Sequence, residues 1–262
     1  MSTRSGSTWA LHSGRFKKIL AEVAVFTPRS ALIAAEAGAG RVELCSGYSE
    51  GGLSPSAASI LYVREWLKIP VHVMVRPRIG DFLYDEVEKN IIVRDIEFCK
   101  DAGIDGIVVG ALDHAGTVDN AFVSRIVRLA HPMKVTFHRA FDLISDQAAA
   151  LETLVQCGVH RVLTSGGKNR VVDALDKIAE LADQAANRII ILPGGGINGG
   201  NVMEIIQKTG VGEIHFSGKE KVSSPLSGFS NVSLTSHGDV SDNEWYESSA
   251  IKIRELLRTL DK

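Results

Sequence analysis

Short apolar runs rich in valine and isoleucine alternate along this chain with longer stretches of helical character. Residues 19–26 (ILAEVAVF) read as a first strand, and Pro28 then opens a helix over 29–37 that Gly38 ends. Residues 41–45 form a second strand. Ser54 and Pro55 supply an N-cap and a first-turn proline for a helix running to Leu67. The third strand is 71–76, and a loop (PRIGDFLYDE) leads into a long helix ending near Gly103. A strand at 106–112 precedes a helix at 119–130 with Asp119 as N-cap. A strand at 134–139 precedes a helix at 145–157 stopped by Gly158. Strand 161–164, helix 171–186, strand 189–192, helix 201–209 and strand 213–217 complete the alternation. A polar segment, 219–242, shows no clear period, and the pattern predicts a last helix over 243–260.

Uninterrupted apolar strands are expected where both faces of a parallel sheet are covered. Eight strand–helix units in 262 residues match an α/β fold of the TIM-type (β/α)8 barrel kind, in one domain. The competing doubly wound sheet carries its glycine-rich fingerprint after the first strand. Here the glycines follow the seventh, where barrels often place a phosphate site.

Composition narrows the function. The hydrophobic content of 45% suits one large core. A net charge of −2 and a pI near 6.5 leave no electrostatic footprint for nucleic acid. No apolar run reaches the roughly 18 residues that a membrane span needs, so no membrane partner is expected. Residues 1–18 are polar and basic without an apolar signal core, and read as a flexible tail ahead of a barrel spanning 19–262. Cys45, Cys99 and Cys157 are widely spaced and odd in number, which argues against a disulfide framework and for a reducing, cytoplasmic setting. No organic cofactor is expected.

In a barrel the site lies at the C-terminal ends of the strands. Those ends carry Glu22, Glu43 with Cys45, Arg76 with Arg78, His138 with Arg139 and Asp142, Thr164 with Ser165, Gly194 to Gly196, and His215 with Ser217. Alternation along a strand puts Glu43 with Cys45 on one face, and likewise His72 with Met74 and Arg76, Thr136 with His138, and His215 with Ser217. Glu22 and Glu43 read either as buried carboxylates paired with Arg76 or Arg139, or as acid–base groups or metal ligands. His138 is a core imidazole or a general acid or base. His72 reads as structural, and His215 stands open between the two roles. Arg76, Arg78 and Asp81 form a bracing network or an anion-binding edge. The PGGGI turn, with Gly194, Gly195 and Gly196, joins Ser165 and Ser217 in a candidate cup for a small anionic ligand. The alternative for that turn is a backbone requiring positive φ. Cys99 and Cys157 read as buried structural thiols. Asn231 to Ser233 fits a glycosylation sequon, which carries no weight without a secretory signal.

Several of these stretches together resemble the CutC copper homeostasis family: RVELCSGYSEGGLSPS (41–56), VMVRPRIGDFLY (73–84), GIDGIVVGAL (103–112), VTFHRAFD (135–142), RVLTSGG (161–167), ILPGGGI (191–197) and EIHFSG (213–218). The resemblance implies a TIM-type barrel, a cytoplasmic location, a homo-oligomer, and copper as bound ion. Many members carry EVCV in the first strand; this chain has EVAV, with Ala24 in that position. Cys45 is then the only strand-end thiol, and copper would take it with His215, His138 or Met74, or with a second subunit.

Two functions follow. One is a copper-binding homeostasis protein using Cys45 and His215. The other is a barrel enzyme for a small anionic or phosphorylated metabolite, with Glu43 and His138 as acid–base groups beside Glu22, Arg76 holding an anion, and Gly194 to Gly196 cradling phosphate. A scaffold barrel with an unused mouth is the blandest reading.

Overall fold

The structure is a computed structural model and describes residues 19–227 and 242–261. The tail expected at 1–18 and the sequon at 231–233 lie outside the described residues. Eight strands alternate with helices: β1 (Leu20–Val25), α1 (Pro28–Ala37), β2 (Arg41–Leu44), α2 (Ala57–Trp66), β3 (Val71–Met74), α3 (Glu86–Asp101), β4 (Gly106–Val109), α4 (Asn120–Ala130), β5 (Lys134–Phe137), α5 (Gln147–Cys157), β6 (Arg161–Thr164), α6 (Leu175–Ala185), β7 (Ile190–Pro193), α7 (Val202–Thr209) and β8 (Glu213–Phe216). An antiparallel hairpin, β9 (Lys219–Ser223) and β10 (Glu244–Ser248), precedes α8 (Ala250–Leu260).

The eight barrel strands are parallel in the order β7-β6-β5-β4-β3-β2-β1-β8. A bridge from Gly194 to His215 sets β7 alongside β8 and all but closes the ring. The fold is therefore the TIM-type α/β barrel that the alternation predicts.

Local signals place the helix ends. Thr27 Oγ1 accepts the Ser30 N–H at the start of α1, with Pro28 in the first turn, and Gly38 closes the helix in the left-handed region at φ 101°. Asp85 and Glu88 form a reciprocal capping box on α3. In two places the ends differ from the sequence pattern. The cap of α2 is Ser56, because the Ser54 hydroxyl is engaged between α3 and the end of β3, donating to Asp95 and accepting the Arg76 N–H. The helix expected from 243 begins only at Ala250. Residues 244–248 instead pair with 219–223, so the segment expected to be without period has a strand on its near side.

Alternation sorts the strand residues into two layers. Val23, Val25, Val42, Leu44, Val73, Ile107, Val135 and Phe137 face outward and pack under the helices in one continuous core. The inward faces carry Glu22, Glu43, His72, Thr136 and His215, and a small separate apolar cluster of Cys45, Met74 and Val108, with Phe26 packed against it. Cys99 and Cys157 are buried on helices, as expected of structural thiols. Among the described residues no helix is long and apolar enough to cross a membrane.

Candidate functional site

A ladder of ionisable side chains runs up the inside of the barrel. Arg161 Nε donates to Glu213 at 2.8 Å, and Arg41 Nη2 donates to the same carboxylate at 2.6 Å. Arg41 Nε also holds Glu22. Glu22 Oε1 meets His215 Nδ1 at 2.8 Å, His215 Nε2 lies 3.7 Å from Glu43 Oε2, and Cys45 Sγ donates to Glu43 at 3.5 Å. The strand register explains the order: Glu22 pairs with both Arg41 and His215, and Glu43 with His72. Glu22 is therefore paired, but with Arg41 and His215, correcting the expected partners Arg76 and Arg139. It also sits midway along the barrel interior rather than at the mouth, because β1 continues to Val25.

Burial and neighbours divide the charges unevenly. Burial alone would raise Glu22, but the His215 hydrogen bond and the Arg41 charge hold it well below the usual carboxylate range. Burial, with the Glu22 charge added, raises Glu43 above that range against the pull of His215. Burial works against a proton on His215, yet Glu43 and Glu22 outweigh it and raise this imidazole. His72 is 3.8 Å from Glu22, and burial pushes it down to about 4. It stands neutral against Gly106, where a Cβ would overlap its ring.

At the mouth, Arg76 and His138 both pack against Phe82, whose ring centre is 4.9 Å from the guanidinium and 4.7 Å from the imidazole. Arg76 donates to the carbonyls of Glu50, Gly52 and Gly80. His138 leaves β5 to cap a short 3-10 helix, Arg139–Leu143, with Nδ1 accepting the Ala140 N–H. Its remaining proton is therefore on Nε2. Burial and the Arg76 charge push it down to about 3, so the ring is neutral. Glu43 Oε1, Arg76 Nε, Thr136 Oγ1 and His138 Nε2 are all buried with no hydrogen-bond partner among the described residues.

The expected anion cup is largely occupied by the chain itself. Asp142 accepts from Thr164 Oγ1 at 2.5 Å, from the Ser165 N–H at 3.0 Å, from Ser165 Oγ at 3.0 Å and from the Gly167 N–H at 3.1 Å, while Arg139 Nε adds a charge-assisted bond at 2.7 Å. Ser165 is thus a ligand of an internal carboxylate. Arg78 pairs with Asp81 in its own loop and with Glu88 in the first turn of α3. In the PGGGI turn, Gly195 and Gly196 have φ of 104° and 79°, and a Cβ on Gly194 would stand 2.7 Å from Leu163. Backbone conformation and close approach account for these three glycines. Ser217 follows β8 and is half-buried.

Comparison with known proteins agrees with this architecture. The family model described as CutC family matches residues 19–220. The chain belongs to the CutC family. The protein of Mus musculus named copper homeostasis protein cutC homolog is 41% identical over 251 residues, covering 95% of this chain and 90% of its own. Its Homo sapiens counterpart of the same name is 40% identical with the same coverage. The solved CutC structure from Streptococcus agalactiae superposes with a TM-score of 0.73 at 32% identity, covering 76% of this chain and 98% of that one. An N-(5'-phosphoribosyl)anthranilate isomerase from Pyrococcus furiosus, at 13% identity and a TM-score of 0.57, shares the fold alone.

The CutC barrel holds two sets of metal donors with different character. Ligand atoms of Glu22, Glu43 and His215 lie within 4.8 Å of one another. Two carboxylates and an imidazole suit a borderline divalent ion, but Arg41 already neutralises Glu22. The softer set is sulfur. A Cβ on Gly52 would lie 3.5 Å from Cys45 Sγ and 3.5 Å from Met74 Cε, and the two sulfur-bearing side chains share one small cluster beneath the Gly51-Gly52 turn. Thiol and thioether fit Cu(I) in kind. The thiol is the obstacle: burial, then the charges of Glu43 and Glu22, push it well above its usual range, so it holds its proton. Ala24 pairs in register with Glu43 and brings no donor. His138 lies on the Arg76 side and is not joined to this sulfur pair. The residues missed from sequence are Arg41, Glu213 and Arg161. Their parity on the strands was the available signal, since Arg41 stands two positions before Glu43.

Proposed function

We propose that this protein serves copper homeostasis in the cytoplasm by holding Cu(I) as exchangeable cargo at Cys45 and Met74, with His215, which faces the same Glu43 carboxylate as the thiol, as the imidazole of the site. The observation that carries this is the meeting of the two sulfur side chains under Gly52, next to the Glu43–His215 pair. The names of the mouse and human relatives support the same role. Three unpaired cysteines support a reducing compartment. The homo-oligomer implied by kinship is part of this reading, and light scattering on the purified chain measures it. Because the thiol must lose its proton to bind a metal, affinity for Cu(I) should rise about tenfold per pH unit while the free thiol stays protonated. Titration against a competing Cu(I) chelator at several pH values tests this. Binding that strengthens with pH and disappears in Cys45→Ala is expected. Binding that survives that substitution removes Cys45 from the reading, and no binding at all ends it.

A second reading, an enzyme for a small anionic metabolite, is favoured by the four unpartnered atoms on Glu43, Arg76, Thr136 and His138. Saturable anion binding that is weakened in Arg76→Met is its test.

A further inference from the structure

Among the described residues, the guanidiniums that enter the barrel interior are answered by carboxylates, with one exception. Arg41 faces Glu22 and Glu213, and Arg161 faces Glu213. Arg76 is only 7% exposed, and no ion pair answers it among the described residues. Its Nη1 donates to the carbonyls of Glu50 at 2.8 Å and Gly52 at 3.1 Å, and its Nη2 to Gly80 at 3.1 Å. Carbonyls orient the group but bring no counter-charge, and a buried cation without one is costly. Its Nε–H is left without an acceptor.

Two further unpartnered donors lie on the inward face of β5, whose His138 packs against the same Phe82 ring as Arg76. His138 has Nδ1 committed to the Ala140 N–H, which leaves its Nε2–H as an unpartnered donor. Thr136, two positions earlier on the same inward face of β5, has an unpartnered hydroxyl. On the intervening strand, Gly110 follows β4, and a Cβ there would overlap the His138 ring. The glycine lets the imidazole lie against the barrel wall next to Phe82.

We propose that the Arg76 Nε–H, the His138 Nε2–H and the Thr136 hydroxyl form a binding site for a small carboxylate, such as the acid end of a hydroxy acid or keto acid. This rests on the reading of the barrel as a site for an anionic metabolite and names its class. The charge of the ligand supplies what Arg76 lacks, and two N–H donors match the paired oxygens of a carboxylate. The alternative anion is phosphate. The loop N–H groups after β6 that would suit it, on Ser165 and Gly167, are already taken by Asp142. His138 then acts as a fixed hydrogen-bond donor, because the nitrogen that would accept a proton is engaged by the backbone.

The test is calorimetry and imidazole ¹⁵N NMR on the full chain at constant ionic strength, with glycolate, pyruvate, acetate, phosphate and sulfate as probes. Saturable binding of glycolate or pyruvate with a shift of the His138 Nε2 resonance is expected. Thr136→Val, whose hydroxyl has no protein partner to lose, should weaken that binding about tenfold with an unchanged melting temperature. Cys45→Ala should leave it intact. Binding of phosphate or sulfate without the carboxylates overturns the class while leaving the anionic reading standing. Absence of binding by every probe removes both. Carboxylate binding that Thr136→Val leaves unaltered, with no His138 shift, places it elsewhere and overturns the site.

Discussion

Arg41 and Glu43 stand two positions apart on the inner face of β2, and they should respond unequally to neutralisation. Arg41 is the charge that holds Glu22 and Glu213 inside the barrel. Arg41→Met leaves Glu213 with Arg161 but strips Glu22, which is almost fully buried, of its guanidinium and leaves it only His215. A loss of about 3–5 kcal/mol in urea unfolding is expected, the usual cost of breaking a buried pair from one side. Glu43 is already raised towards protonation by burial, and its Oε1 has no partner. Glu43→Gln should therefore change stability by less than about 1 kcal/mol. A large loss in that variant would show that the charged form of Glu43 holds the ladder together.

At the level of elements, β4 and the β9–β10 hairpin do work that their composition conceals. β4 begins at Gly106, and Gly110 follows its end; a Cβ at either position would overlap an imidazole, His72 in the first case and His138 in the second. Gly106→Ala should destabilise by roughly 1–3 kcal/mol through overpacking, although the residue gained has the higher intrinsic preference for ordered backbone. The hairpin is tied to the barrel by Glu247, which accepts from Thr27 Oγ1 at 2.7 Å, from Ser30 Oγ, and from the Trp245 indole at 3.0 Å. Thr27 and Ser30 stand at the start of α1, where a carboxylate is also favoured by the helix dipole. Glu247→Ala should cost about 1–3 kcal/mol and loosen the hairpin first, which hydrogen exchange at Lys219–Ser223 would register.

Across the whole molecule the buried histidines set the pH dependence. His72 and His138 have folded pKa values of about 4 and 3 against an ordinary 6.5. Between those limits the unfolded chain binds protons that the native barrel refuses, so stability falls as pH drops below about 6.5. Glu22, held low in the native state, adds to the loss at still lower pH. Glu43 is raised and works in the opposite direction between its ordinary and folded values. His215 is also raised, so its contribution is complete below its ordinary value and disappears as pH rises through its folded one. A stability maximum near neutrality follows, with a loss on the order of a few kcal/mol by pH 5. Urea unfolding from pH 5 to 8 measures it. A flat acid limb, or one that His72→Gln does not make shallower, contradicts this assignment.

The eight strand–helix units and the residues that share a strand face were legible in the sequence alone, because strands covered on both sides read as uninterrupted apolar runs and side chains alternate along them. That alternation puts Glu43 with Cys45 and Thr136 with His138 on shared faces. The pairing of charges was decided only by the tertiary structure. Strand register joins residues far apart in the chain, so Glu22 meets Arg41 and His215 rather than Arg76 or Arg139. The hairpin was hidden for a similar reason: the residues of β9 acquire a strand partner only across the intervening segment. Asp142 filling the cup after β6, and Arg76 left with carbonyls and no counter-charge, are likewise outcomes of which side chains the closed ring brings within reach of one another.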